Sequence, residues 1–121
     1  LPLDIGTGHS LQYETGPNSI AGLQQLQQPT LPVFQLTCTQ GTEAGQTFYT
    51  TDPGKALISG QCTDIGRIKG PILRGLAARA PYFHNGAAAS LSQLVNFYNK
   101  RFQIGLTQQQ TRDLINFLQT L

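Results

Sequence analysis

Apolar positions along the chain fall into short blocks separated by glycine- and proline-rich joints. "LPVFQLTC" (31–38) alternates apolar and polar residues, and "QTFYTT" (46–51) clusters β-formers. The turn-rich "TQGTEAGQ" joins them, so the pair predicts a β-hairpin with a longer loop. "TDPGKALISG" (51–60) reads as a short helix, with Asp52 as N-cap, Pro53 in the first helical position and Gly60 as the stop. In "GPILRGLAARAP" (70–81), Leu73, Leu76 and Ala77 stand at i, i+3 and i+4. That spacing predicts a short helix or turn with one apolar side, closed by Pro81. Ser90 caps a clearer helix, "LSQLVNFYNKRF", with Leu91, Leu94, Val95 and Tyr98 as one stripe. Lys100 and Arg101 suit its C-terminal end. Gly105 interrupts the chain, and Thr107 with Gln110 forms a capping box for the last helix. Leu114, Ile115, Phe117, Leu118 and Leu121 are that helix's expected buried side.

Residues 1–32 lack this periodicity and are rich in Gly, Pro and Gln. They are expected to be extended, with at most a helical turn through Leu23 and Leu26 before Pro29. The pattern as a whole predicts a mainly α fold with a small β-hairpin. A length of 121 residues fits a single domain, 1–121, that can bury a core of its own.

Composition narrows the function classes. Charged residues make up 12% of the chain and the net charge is +2, with the basic residues spread out, which excludes a nucleic-acid footprint. No apolar run approaches the roughly 20 residues that span a bilayer. Cys38 and Cys62 are the only cysteines, and their spacing fits neither a zinc knuckle nor a redox Cys-x-x-Cys. Two readings stand. One is a disulfide, which implies export. The other is a pair of buried thiols in a reducing compartment.

Standard catalytic signatures are absent: no G-x-S-x-G, H-E-x-x-H or phosphate-binding loop. "IGTGHS" has close glycines without a strand-turn-helix setting, and His9 reads as a solvated loop residue. No catalytic residue stands out. "ARAPYFHNGAAASL" (78–91) is different, because Pro81, Tyr82 and Phe83 look like core anchors running into His84. Asn85-Gly86 then suits a turn with positive φ. His84 either hydrogen-bonds across that turn or faces a cofactor or ligand.

Several motifs, in order and at fixed spacing, carry a resemblance. They are Lys69-Gly70-Pro71-Ile72-Leu73-Arg74, then Ala80 to Gly86, then Leu91 to Tyr98. Together with "TTDPGKALISG" and "GLTQQQTRDLINFLQTL", this part (about 47–121) resembles the C-terminal, electron-transfer haem domain of the bacterial di-haem cytochrome c peroxidases. The resemblance implies part of a cytochrome c-like domain, haem c, export to the periplasm and reduction of hydrogen peroxide to water. It implies an N-terminal peroxidatic haem domain in the same protein, a small redox protein as electron donor, and an interdomain calcium; it also allows a homodimer.

Covalent haem c needs Cys-x-x-Cys-His, which this sequence lacks. The chain therefore resembles the part of the domain that follows the attachment segment, incomplete as a peroxidase by itself. A haem-less interaction or calcium-binding module on the same scaffold is the alternative. Tyr98 stands where the family places its distal axial ligand, a Met in the peroxidases and a Tyr in a related di-haem group that matures a tryptophan-derived quinone. Otherwise Tyr98 is a core-stripe residue. The backbone carbonyls of Arg79 and Pro81 correspond to family calcium ligands. Arg74 is either a partner for haem propionates or a surface charge.

Overall fold

The computed structural model describes Leu3–Asp4 and residues 31–121. The expectations for the lead segment, including the turn through Leu23 and Leu26, "IGTGHS" and His9, lie outside the described residues. Those described divide into two compact units, one of residues 31–70 with Leu3–Asp4 and one of residues 71–121. Three helices and two small antiparallel sheets make up their regular structure.

The first unit contains the hairpin. Strands β2 (Phe34–Thr37) and β3 (Thr47–Thr50) pair antiparallel, with Phe34 opposite Thr50 and Thr37 opposite Thr47. Pairing continues to Cys38, whose N–H donates to the Gln46 carbonyl (2.9 Å) and whose carbonyl accepts from Gly45 N–H (2.8 Å). The sequence pattern gave no sign of a second ribbon, in which β1 (Leu3–Asp4) pairs with β4 (Arg67–Ile68).

Helix α1 covers only Ala56–Ser59 and ends as expected at Gly60, which is left-handed at φ 67°. Asp52 is not its N-cap. The carboxylate Oδ1 of Asp52 accepts from Gly54 N–H at 2.9 Å, forming a turn ahead of the helix. Gly54 sits so close to the backbone of Arg67 that an added Cβ would lie 2.6 Å from the Arg67 carbonyl oxygen. Helical geometry therefore starts only after that approach, with Lys55 at the N-cap position.

Cys62 opens a 3-10 turn, Cys62–Asp64, and is disulfide-bonded to Cys38 across 24 residues. This settles the choice between the two cysteine readings in favour of the bond. Asp64 on the same turn pairs with Lys55 Nζ at 2.7 Å.

The second unit is built on two helices, α2 (Leu91–Arg101) and α3 (Gln108–Gln119). Both expected caps are present. Ser90 Oγ accepts from Gln93 N–H, and Thr107 and Gln110 satisfy one another's backbone N–H groups. Asn99 ties the joint between the helices, its Oδ1 accepting from Leu106 N–H at 2.9 Å. The core consists of Leu76, Tyr82, Ala88, Leu91, Val95 and Leu118.

Two expected apolar faces are narrower in the structure. Gly75 turns left-handed (φ 68°), so the 70–81 stretch makes only a 3-10 turn, Leu76–Ala78. Leu76 is buried there, while Leu73 and Ala77 face solvent. On α3 only Leu118 is fully buried, with Ile115 and Leu121 packed partly against the core. Leu114 and Phe117 are exposed, at 37% and 57%. A single neighbouring layer covers one stripe of a helix, so five apolar positions exceed what the described core can cover. The carbonyl of Leu121 accepts from Gly75 N–H, which fastens the end of α3 to the 3-10 turn. Among the described residues, no helix is long and apolar enough to cross a membrane.

Candidate functional site

The loop that follows Arg79 is tightly folded. The Ala80–Pro81 peptide is cis. Tyr82 and Ala88 then form an antiparallel bridge, with Tyr82 N–H donating to the Ala88 carbonyl (2.6 Å) and Ala88 N–H to the Tyr82 carbonyl (3.2 Å). Inside this bridge Gly86 N–H donates to the Phe83 carbonyl at 3.3 Å, closing a turn over residues 83–86.

The positive φ expected at Asn85-Gly86 occurs at Gly86 (73°) and at Phe83 (69°), not at Asn85. The side chain of Asn85 accounts for this, since its Oδ1 accepts from Ala87 N–H (3.0 Å) in an Asx turn. A bulky residue at positive φ is uncommon and strained. Ring packing accompanies that conformation: the Phe83 ring lies 4.8 Å from Phe97, edge to face, and 5.9 Å from Tyr98. The strained residue thus joins the loop to α2.

Tyr98 lies at the centre of these aromatic contacts. Its ring stacks on Phe102 (5.8 Å, 16°) and meets Phe97 edge-on at 5.7 Å. The guanidinium of Arg101 sits 5.5 Å from the Phe102 ring centroid. Tyr98 is half-buried, and its hydroxyl makes no hydrogen bond to a described residue. Burial pushes the phenol's pKa upward.

The other candidates are at the surface. Tyr82 is a core anchor as expected, but Pro81 is exposed, because the loop turns outward there. His84 is exposed in the turn. Arg79 folds back, its Nη1 donating to the Ile72 carbonyl at 3.1 Å. Among the described residues, no backbone N–H donates to the carbonyls of Arg79 and Pro81. Arg74 is exposed one residue before the Gly75 bend. The structure therefore joins the loop that carries Arg79, Pro81 and His84 to Tyr98 through Phe83. No described contact links Arg74 to Tyr98. Among the described residues, no group of three or more His, Cys, Asp or Glu side chains gathers where it could hold a metal ion.

Sequence reasoning missed Phe97, one of the most deeply buried side chains, and Phe102. The signal was present in "NFYNKRF". Phe97 stands three residues after Leu94, and Phe102 stands four after Tyr98, the spacing at which helix side chains meet.

The residues fit haem unevenly. Tyr98 offers an oxygen with no described partner on a well-supported helix. Thioether attachment has no donor in this chain, since both cysteines are used in one disulfide.

No family model matches the chain, and no solved structure does. Curated relatives do match. Cytochrome-c peroxidase IdrP1 of Denitromonas iodatirespirans is 34% identical over 91 residues, covering 66% of this chain and 24% of the relative. Cytochrome-c peroxidase IdrP2 of the same organism is 36% identical over 78 residues, covering 59% and 21%. Cytochrome-c peroxidase IdrP1 of Pseudomonas sp. (strain SCT) is 32% identical over 81 residues, covering 58% and 21%. The chain spans about a quarter or less of the length of these relatives. Their agreement in name, at 32–36% identity, supports the cytochrome-c peroxidase family for this chain.

Proposed function

We propose that this chain is the C-terminal portion of a periplasmic, di-haem cytochrome c peroxidase-like oxidoreductase. The observation that carries the reading is the similarity to three proteins named cytochrome-c peroxidase. In this reading the parent protein reduces hydrogen peroxide, taking two electrons and two protons to release two waters. The chain is a partial cytochrome c-like domain and inactive alone. Its partners are an N-terminal peroxidatic haem domain and a small redox protein that donates electrons; a homodimer is compatible with this arrangement.

The haem is attached by a Cys-x-x-Cys-His segment outside these residues, and when bound it supplies one-electron transfer. The work of this chain is to shape the distal side. Tyr98 would hold the haem iron through its phenol oxygen, and an oxygen ligand would favour the ferric state and lower the potential relative to Met. The stack on Phe102 and the contact with Phe83 hold the Tyr98 ring in orientation. Arg74 would pair with a haem propionate, and His84 would contribute to the cofactor's surroundings from its turn. The carbonyls of Arg79 and Pro81 would serve as ligands to a calcium ion, which takes oxygen donors. Two neutral carbonyls bind weakly, so groups from outside the chain complete that site.

The absorption spectrum of the natively purified full-length protein tests the reading. A Soret band is expected, with its ferric ligand bands shifted in Tyr98→Phe. A full-length protein without a Soret band or an upstream Cys-x-x-Cys-His overturns it. The absence of attachment cysteines favours one second reading, a haem-less interaction or calcium-binding module. A spectrum without haem absorption is the outcome that reading requires.

A further inference from the structure

In the first unit, the buried side chains among the described residues are Cys38, Thr50, Asp52, Pro53 and Asp64. No buried Leu, Ile, Val, Phe or Tyr is among them. Leu57 is 71% exposed, Ile58 90% and Phe34 45%, while Leu36, Phe48, Tyr49, Ile65 and Ile68 are only half-buried. A covalent bond ties the hairpin to the turn beside α1. Cys38 closes the end of β2, and Cys62 opens the 3-10 turn whose Asp64 holds Lys55. Among the described residues no fully buried large apolar side chain backs these segments, so the Cys38–Cys62 bond is a principal link between them.

We infer that the Cys38–Cys62 bond is a redox-sensitive latch: its reduction loosens residues 31–70 and leaves the helical unit folded. The reaction is thiol–disulfide exchange with a dithiol reductant. A thiolate of the dithiol attacks Cys62, the less buried sulfur partner, since Cys38 is 2% exposed. The Cys38–Cys62 bond breaks and Cys38 departs as a thiolate. The second thiol of the reductant then closes on the mixed disulfide and expels Cys62. Two protons pass from the dithiol to the two cysteines. The products are two protein thiols and one oxidised dithiol.

The segments that the latch controls contain their own reporters, the tryptic sites at Lys55, Arg67 and Lys69. Arg101 and Arg112, in the two long helices, are the internal controls. The experiment is limited trypsin digestion of the full chain before and after treatment with dithiothreitol, with thiols counted in each sample. Cleavage at Lys55, Arg67 and Lys69 is expected to accelerate about tenfold or more on reduction, with Arg101 and Arg112 unchanged. The double variant Cys38→Ser with Cys62→Ser should reproduce the reduced pattern. If that variant fails to fold, the reduced wild-type chain gives the same comparison. Three results overturn the latch: unchanged cleavage in the first unit, equal acceleration at Arg101 and Arg112, or two free thiols in the untreated chain.

Discussion

The two units solve the same problem with different materials. The second unit hides Leu76, Tyr82, Ala88, Leu91, Val95 and Leu118 in one apolar cluster, and its helices carry side-chain caps. Over a comparable length, the first unit hides a disulfide, an Asx turn and an ion-paired carboxylate. Apolar burial is non-directional and adds with area, at about 1.5–3 kcal/mol per large side chain. Polar contacts need their partners in place, and each adds about 1 kcal/mol net. The apolar second unit should tolerate changes in pH and redox state, and the disulfide-held first unit should respond to both.

Changes in the apolar unit should be the most damaging. Phe97 is 2% exposed and touches Phe83 and Tyr98, so Phe97→Ala should cost about 3–5 kcal/mol. Urea unfolding followed by helical circular dichroism checks this, and a loss below about 1 kcal/mol would contradict a core built around α2.

In the first unit the sharpest single change is Gly54→Ala. Its Cβ would meet the Arg67 carbonyl oxygen at 2.6 Å, and φ is +58°. A loss of about 1–3 kcal/mol is expected. Hydrogen exchange should report it at residues 54–68 and not in α2 or α3; exchange that rises equally everywhere would remove the distinction between the units.

A smaller effect is expected at the helix caps. Thr107→Ala removes one half of the capping box and should cost about 1 kcal/mol, with faster exchange confined to the first turn of α3. Unaltered exchange at Gln110 would show that the cap contributes nothing.

Acid should also discriminate between the units. The hydrogen bond from Lys55, followed by that from Ser59, holds the Asp64 carboxyl below its ordinary value of 3.8. Because the folded-state value is the lower one, the stabilisation is complete above pH 3.8 and is lost as pH falls through the folded value. Lys55 is 43% exposed, so salt should weaken the effect. The second unit has one carboxylate side chain, Asp113, outside its core. Exchange at residues 55–64 should therefore rise below pH 3.8 before that of α2 and α3, and Asp64→Asn should abolish the difference. Simultaneous opening of both units in acid would refute it.

Local interactions made much of this legible in advance. The capping box, the Ser90 cap, the Gly60 stop and the hairpin depend on residues a few positions apart, so the sequence determines them directly. The motif order around "PYFHNG" is likewise a property of the sequence alone, and it agrees with the similarity to the cytochrome-c peroxidase relatives.

Other features required partners distant in sequence. Arg67 approaches so closely that position 54 has room only for glycine, and the helix begins after that contact rather than at the expected N-cap Asp52. Phe83 adopts positive φ where its ring meets Phe97 and Tyr98. Helical periodicity put Leu114 and Phe117 among the apolar positions of α3, yet which of those positions are covered depends on what packs against the helix. The sequence alone left two readings for Cys38 and Cys62, because their pairing depends on a Cα–Cα distance of 6.0 Å that only the folded chain creates.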